Sequence, residues 1–241
     1  MTQSVFSVTL FALIPVLAAV AGASIAALRQ PGAGLRSGLQ HFAAGVVFSV
    51  VGVELLPDIL RQHKPVPVIV GFTVGIAALL ALRSFGPSEK PSEGRAGKLP
   101  LAFLSAVGID LLIDGFLIGI GFAAGAKEGK LLTFALTVEL LSLGMATVLT
   151  LMEAAIPRRR AVAVTSAGAS CLLIGAGLGG TVMQSIPDTA MELVLSFGLA
   201  ALLFVVVEEL LVEAHEVPET PLITSSFFAG FLLFLVLGII I

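Results

Sequence analysis

The 241-residue chain is 57% hydrophobic and only 12% charged, its formal net charge is −3, and its mean hydropathy is +1.09. In soluble domains about a quarter of the residues are charged, so this composition excludes an ordinary soluble protein and is typical of a membrane protein. The single cysteine, Cys171, excludes an internal disulfide. Trp and Tyr are absent, so Phe must supply any aromatic belt at the membrane surfaces.

Apolar segments of spanning length follow one another along the chain, with short polar breaks between them. The first lacks the basic leader region of a signal peptide, and its apolar run of about 20 residues fits a retained spanning helix. We predict spans at 5–28, 39–60, 67–85, 99–125, 131–155, 161–184, 190–213 and 222–241. The sequence therefore predicts an all-α membrane protein of eight helices, a single transmembrane domain over 1–241. Residues 84–98, rich in Pro, Gly, Ser and charge, are predicted to be a flexible cytoplasmic linker within it.

Basic residues are distributed unequally between the loops. The first, third, fifth and seventh loops carry Arg29, Arg36, Arg83, Lys90, Arg95, Lys98, Arg158, Arg159 and Arg160, whereas the second, fourth and sixth carry only Arg61, Lys64, Lys127 and Lys130. Because cytoplasmic loops are enriched in Lys and Arg, we expect the odd-numbered loops to be cytoplasmic and both termini to lie outside. The expected location is a bacterial cytoplasmic membrane.

Spans two and seven share an acidic pattern. It reads FAAGVVFSVVGVELLPDIL from residue 42 and FGLAALLFVVVEELLVEAH from residue 197. At a constant offset, Glu54 aligns with Glu209 and Asp58 with Glu213. The two spans are five crossings apart and so run in opposite directions, which predicts inverted repeats of spans 1–3 and 6–8 with spans four and five between them. An old duplication with no surviving mechanism is the alternative.

Spans four and five carry acidic residues at the depth of the bilayer midplane. Asp110 and Asp114 are four residues apart and share one face of span four, while Glu139 and Ser142 share a face of span five. Asp114 and Glu139 each lie roughly 15 Å from the turn that joins the two spans. An ionised carboxylate at this depth costs about 2.5–3.5 kcal/mol, and neither span contains Lys, Arg or His to offset it.

Three remedies for this cost are protonation, a water-filled cavity or a bound cation. Carboxylates and a hydroxyl are hard oxygen ligands that suit a divalent cation, and protonated carboxyls that only stabilise the fold are the alternative. Further acids and a histidine would extend the site toward both surfaces. Glu54 and Asp58 are expected at the outer surface, and Glu208, Glu209, Glu213 and His215 at the cytoplasmic surface, with ordinary helix-end charge as the alternative for each.

These motifs resemble those of the Zrt/Irt-like (ZIP) divalent metal transporters. The family's helix-four pattern His-Asn-x-x-Asp-Gly is matched by Asp114-Gly115, with Asp110 at the position of the His. In the helix-five pattern Glu139 matches the first acid, whereas Val138, Leu141 and Ser142 replace the His, the Pro and the second acid. The helix-two signature reads Glu54-Leu55-Leu56-Pro57, and a related signature begins at Glu209 in span seven.

The resemblance implies eight helices in a three-two-three arrangement, both termini outside, and a metal path from outside through a midplane site to the cytoplasm. The loss of both imidazoles favours a single-ion, oxygen-ligated site over a tight zinc site, so Zn²⁺, Mn²⁺ or Fe²⁺ is expected as substrate, with no prosthetic group. The expected metal-binding residues are Asp110, Asp114, Glu139 and Ser142 at the centre, with Glu54, Asp58, Glu209, Glu213 and His215 toward the mouths.

Two other classes of function remain open. The first is a proton- or cation-coupled carrier of another solute, because buried acids also relay protons. The second is an intramembrane enzyme, although the aspartates lack the basic neighbours that a diphosphate substrate needs and the glutamates lack the sequence context of intramembrane proteases. We therefore expect no enzymatic activity. The expected partners are the lipid bilayer and a divalent metal ion, without nucleic acid, and a homodimer is left open.

Overall fold

Eight long helices build the described part of the protein. The computed structural model describes residues 5–85, 98–186, 188–218 and 220–240, and within these ranges it contains helices and short connections but no β-strand. The helices are α1 (Val5–Leu28), α2 (Ala33–Val50, continued by Val51–Leu55 and Leu56–Gln62), α3 (Pro65–Phe85), α4 (Leu101–Ala124), α5 (Ala126–Glu153), α6 (Arg158–Ser185), α7 (Asp188–Phe204, continued by Val205–Leu210 and Leu211–Ala214) and α8 (Pro221–Ile240). All eight are long and apolar enough to cross a membrane.

Each of the eight predicted spans is confirmed as a helix of spanning length, but two helices begin five or six residues earlier than predicted. Helix α2 starts at Ala33 instead of residue 39, and α5 starts at Ala126 instead of residue 131. The polar side chains near the start of each of these helices are therefore part of the helix. Only Gly125 separates α4 from α5. Of the predicted linker 84–98, residues 86–97 lie outside the described residues.

Large apolar side chains cover much of the outer surface of the bundle. Phe6 is 77% exposed, Leu28 82% and Leu222 79%, and many more exposed Leu, Ile, Val and Phe lie along the same helices. Soluble monomers rarely expose contiguous apolar surface of this extent, whereas a lipid bilayer accepts it. The architecture is therefore that of an integral membrane protein.

Reciprocal glycine contacts hold the two most extensive helix pairs together. In the α1–α5 pair, Gly22 lies against the backbone of Leu141 and Gly144 against the backbone of Ala19. A Cβ atom at either glycine would collide with the carbonyl oxygen that faces it. Small residues of this kind allow helices in a membrane to approach at backbone distance. The α4–α6 pair is built in the same way, with the reciprocal contacts Gly115–Leu172 and Gly175–Leu112.

The peripheral helices repeat this construction. In the α2–α8 pair Gly45 faces Phe227 and Gly230 faces Phe42, and in the α3–α7 pair Gly71 faces Leu193. Four close helix pairs thus surround the centre of the bundle: α1 with α5, α4 with α6, α2 with α8, and α3 with α7.

Two π-helical segments interrupt α2 and α7 at matching positions. They comprise Val51–Leu55 and Val205–Leu210, and the offset that aligns the acidic patterns places residues 51–55 on 206–210. A π-helical turn contains an additional residue and commonly occurs at functional sites. Glu54 and Glu209 each lie within such a segment.

The helices of the bundle finish at two opposite ends. The odd-loop end is where α1, α3, α5 and α7 finish, and the even-loop end is where α2, α4, α6 and α8 finish.

Candidate functional site

Two carboxylates lie in the core at the centre of the bundle. Asp114 of α4 is 0% exposed and Glu139 of α5 is 3% exposed. Both carboxylate oxygens of Asp114 and Oε2 of Glu139 are buried without a hydrogen-bond partner in the described part of the chain. A buried acceptor left in this state costs about 1–3 kcal/mol, and more if it is charged. These oxygens therefore need a proton, a water molecule or a cation as a partner.

The close α4–α6 contact explains why Asp114 is sealed from the surroundings. Gly115 presses against the backbone of Leu172, and the buried Leu117 and Ile118 continue the same segment of α4. On α5, Ser142 lies one turn beyond Glu139 and is also buried. The centre therefore contains two carboxylates and a hydroxyl on adjacent helices, as the sequence spacing predicts.

From this centre, acidic side chains lead toward the odd-loop end. Asp114 interacts electrostatically with Glu139, Asp110 and Glu209. Asp110 lies one turn before Asp114, is half-buried, and is close enough to Glu209 for the two carboxyl groups to interact directly. Asp110 and Glu209 thus connect the buried pair to the region near the end of α7.

Asp110 and Glu209 line a cavity of about 210 Å³ between α3, α4 and α7. Its walls comprise Leu79, Leu82, Arg83, Ser105, Ala106, Ile109, Asp110, Ile113, Phe204, Glu208 and Glu209. Arg83 and Glu208 form an ion pair across it. Since these residues come from the ends of α3 and α7 and the start of α4, the cavity belongs to the odd-loop end.

At the even-loop end, the corresponding glutamate is closed off. Glu54 is only 8% exposed, and its Oε1 lies 3.5 Å from the ammonium nitrogen of Lys127. Lys127 also donates a hydrogen bond of 2.9 Å to the backbone oxygen of Gly238. Asp58, by contrast, is half-buried and pairs at 3.4 Å with Arg61, which is exposed.

A polar contact joins α2 to the end of α7 at the odd-loop end. Gln40 donates a hydrogen bond to Glu213, and the Ser37 hydroxyl donates to the backbone oxygen of Ala214 at 2.7 Å. Beside them the rings of His41 and His215 lie with centroids 5.2 Å apart. The sequence predicts roles for Glu213 and His215 but not for their partners on α2. Ser37 precedes the predicted start of the span at residue 39, and no local spacing connects Gln40 or His41, which lie inside that span, to α7. The signal was present in three polar residues, at 37, 40 and 41, which share one helix face.

Two further ion pairs were also missed. Glu192, only 2% exposed, lies 2.5 Å from Lys64 and leaves its Oε2 buried without a partner within the described ranges. It lies in the predicted seventh span, so an acid in an apolar segment was the available signal. The second pair is Arg83 with Glu208.

The nine predicted metal-binding residues therefore occupy three places. The central place contains Asp110, Asp114, Glu139 and Ser142, the even-loop end Glu54 and Asp58, and the odd-loop end Glu209, Glu213 and His215. Among the described residues, no three His, Cys, Asp or Glu side chains converge closely enough to hold a metal ion in this conformation.

A scan against models of known protein families finds no match to this chain, and a search of curated proteins finds none either.

Proposed function

We propose that this protein carries a divalent metal cation across the membrane, toward the cytoplasm, through the acidic residues of α4 and α5. The observation that carries the proposal is the pair Asp114 and Glu139, whose buried oxygens have no partner within the described chain. A divalent cation between two ionised carboxylates would offset the desolvation cost that each bears alone. Metal binding would thus complete a site that is electrostatically unfavourable when both acids are charged.

The chemistry of the centre supports a hard or borderline cation. Asp114, Glu139 and the Ser142 hydroxyl offer oxygen ligands only, with Asp110 one turn away. The resemblance to the ZIP transporters at the same two helices supports the same assignment. Zn²⁺, Mn²⁺ and Fe²⁺ are the candidate substrates, and the metal is cargo, with no prosthetic group required.

We further propose that α1–α3 and α6–α8 are inverted repeats around α4 and α5. The exchange replaces α1, α2 and α3 by α6, α7 and α8, and α4 by α5, and the reverse. It converts the α1–α5 pair into the α6–α4 pair, and the α2–α8 pair into the α7–α3 pair. The four close helix pairs named above are thus related to one another by this exchange. The matching π-helical segments at Glu54 and Glu209 support the same exchange. Repeats of this kind allow a transporter to alternate between two similar packings.

The differences between the two ends support an inward-facing state. The odd-loop end, where the basic loops indicate the cytoplasm, has the cavity lined by Asp110 and Glu209. At the even-loop end Glu54 is buried against Lys127. In this proposal a cation leaves the centre past Asp110 and Glu209.

A proton- or cation-coupled carrier of another solute is the second candidate. One observation favours it: no group of three His, Cys, Asp or Glu within the described ranges is arranged around one point. Two buried carboxyls can bind and release protons without a third ligand. This candidate predicts transport that needs no added divalent metal.

Uptake by purified protein in proteoliposomes tests the metal proposal. Asp114→Asn and Glu139→Gln keep the size of each side chain and remove its charge, so each should reduce uptake of the transported ion at least tenfold while the thermal unfolding temperature is maintained. Zn²⁺, Mn²⁺ and Fe²⁺ are supplied separately, with an ion-sensitive dye inside the vesicles.

Glu153→Gln is the matched control, since Glu153 lies in the last turn of α5 and outside the buried centre. It should leave uptake unchanged. Metal uptake that survives both central substitutions would contradict the site assignment, and transport of protons or another solute without added metal would favour the second candidate.

A further inference from the structure

His41 and His215 come from distant parts of the sequence and meet at the odd-loop end. Their ring centroids are 5.2 Å apart and the rings are tilted by 55°. His41 is only 2% exposed, whereas His215 is exposed. A hydrated ion could therefore reach this pair of rings from the surface by way of the exposed His215.

Backbone hydrogen bonds fix the tautomer of both rings. Nδ1 of His41 lies 2.9 Å from the backbone oxygen of Ser37, and Nδ1 of His215 contacts the backbone oxygen of Leu211. A carbonyl oxygen only accepts hydrogen bonds, so each Nδ1 must carry a proton, and in the neutral ring each Nε2 then has the lone pair. Metal-binding histidines commonly have this arrangement, with the remote ring N–H donated to a carbonyl group.

The surrounding contacts hold the two rings in position. The Ser37 hydroxyl binds the backbone oxygen of Ala214 at 2.7 Å, and Gln40 binds Glu213. These hydrogen bonds join α2 to the last turn of α7 beside the histidine pair. A cation would thus meet two imidazoles that are already oriented.

We propose that His41 and His215 form a second cation site, distinct from the carboxylate centre, that takes a borderline transition metal such as Zn²⁺. Imidazole nitrogen favours Zn²⁺, Co²⁺ or Ni²⁺ over Mg²⁺ and Ca²⁺, which prefer oxygen. Two protein ligands with water in the remaining positions bind more weakly than a closed four-ligand site. The site's role as a last binding step before release depends on the proposed transport function, but binding itself does not.

Nitrogen NMR of the full-length protein, labelled with ¹⁵N-histidine in detergent micelles, tests this proposal. The chain contains three histidines, and the third, His63, lies exposed at the even-loop end and serves as the internal reference. ZnCl₂ alone should shift the Nε2 signals of His41 and His215 and leave His63 unchanged. Before zinc is added, His41 should show the Nδ1–H tautomer.

Variants assign the signals and separate ligation from structure. His41→Gln should raise the Zn²⁺ concentration for half-maximal shift of the His215 signal by on the order of tenfold or more. Because His41 is buried, His215→Gln at the exposed partner provides the second test, and it should remove the His41 shift without unfolding the protein. His63→Gln is the matched control and should change neither signal.

Two results would overturn the proposal: a His41 signal that does not move with Zn²⁺, or equal shifts with Mg²⁺. The combined variant Asp114→Asn/Glu139→Gln distinguishes the two sites. Histidine shifts that persist there while uptake is lost support both assignments. Histidine shifts that persist together with full uptake support the histidine site and overturn the transport site.

Discussion

The two copies of the acidic motif place a glutamate at the same position but in opposite surroundings. Glu54 and Glu209 align in sequence, and each lies in a π-helical segment. Glu54 is buried and pairs with Lys127, whereas Glu209 is half-buried, lies beside Asp110 and lines the cavity. The motif thus determines where along a helix the carboxylate lies, while the neighbouring helices determine whether an ion can reach it.

Lys127 is the residue that makes the difference. Its ammonium lies 3.5 Å from Glu54 and is also bound to the backbone oxygen of Gly238, so it connects α5, α2 and α8. At the other end Arg83 forms its ion pair with Glu208 and acts on the aligned Glu209 only through a weaker electrostatic interaction. A cation that approaches Glu54 must therefore compete with the ammonium of Lys127 for the Glu54 carboxylate.

Replacing Lys127 by Met should produce the largest effect on this comparison. It leaves Glu54 buried without its partner, which should cost about 1–3 kcal/mol of folding stability and lower the thermal unfolding temperature. It should also make the two ends more alike by opening the even-loop end. In a Cys171→Ala background, a cysteine at Val53 should react faster with a membrane-impermeant maleimide when Lys127 is replaced.

Lys130→Met is the matched control, because Lys130 lies one turn further along α5, is exposed, and forms no ion pair with the described residues. It should change neither the unfolding temperature nor the labelling rate. Equal labelling rates with and without Lys127 would mean that the lysine does not close this end.

The prediction for Lys127 depends on a contact that the sequence does not reveal. Apolar length alone predicts the eight spans, and distance from a short turn predicts that Asp114 and Glu139 are both deep in the bundle. The Lys127–Glu54 pair requires knowing that α2, α5 and α8 meet, and no local spacing contains that information. Pairing of His41 with His215 likewise joins residues 174 positions apart. Local periodicity gives depth and helix face, whereas the choice of neighbours comes from the glycine contacts between helices.

A double-mutant cycle on Arg83 and Glu208 should give a smaller effect. Their side chains are 53% and 41% exposed, so water screens the pair. The coupling between Arg83→Met and Glu208→Gln should be about 0.2–1 kcal/mol in denaturant unfolding of the purified protein. A parallel cycle on Lys127 and Glu54 should give the larger coupling, because Glu54 is buried. The reverse order would contradict the view that one end is closed more firmly than the other.

The smallest effect is expected at Asp58, the residue that aligns with Glu213. Its pair with Arg61 spans 3.4 Å, but Arg61 is 80% exposed, so Asp58→Asn should change stability by no more than about 0.5 kcal/mol. The sequence predicts Asp58 as a metal-binding residue at this end, but its carboxylate already pairs with Arg61, so metal uptake should also be unchanged. A severalfold loss of uptake would instead assign Asp58 a part in receiving the ion. The two motif copies would then act alike at the surface and differ only in the lysine that covers one of them.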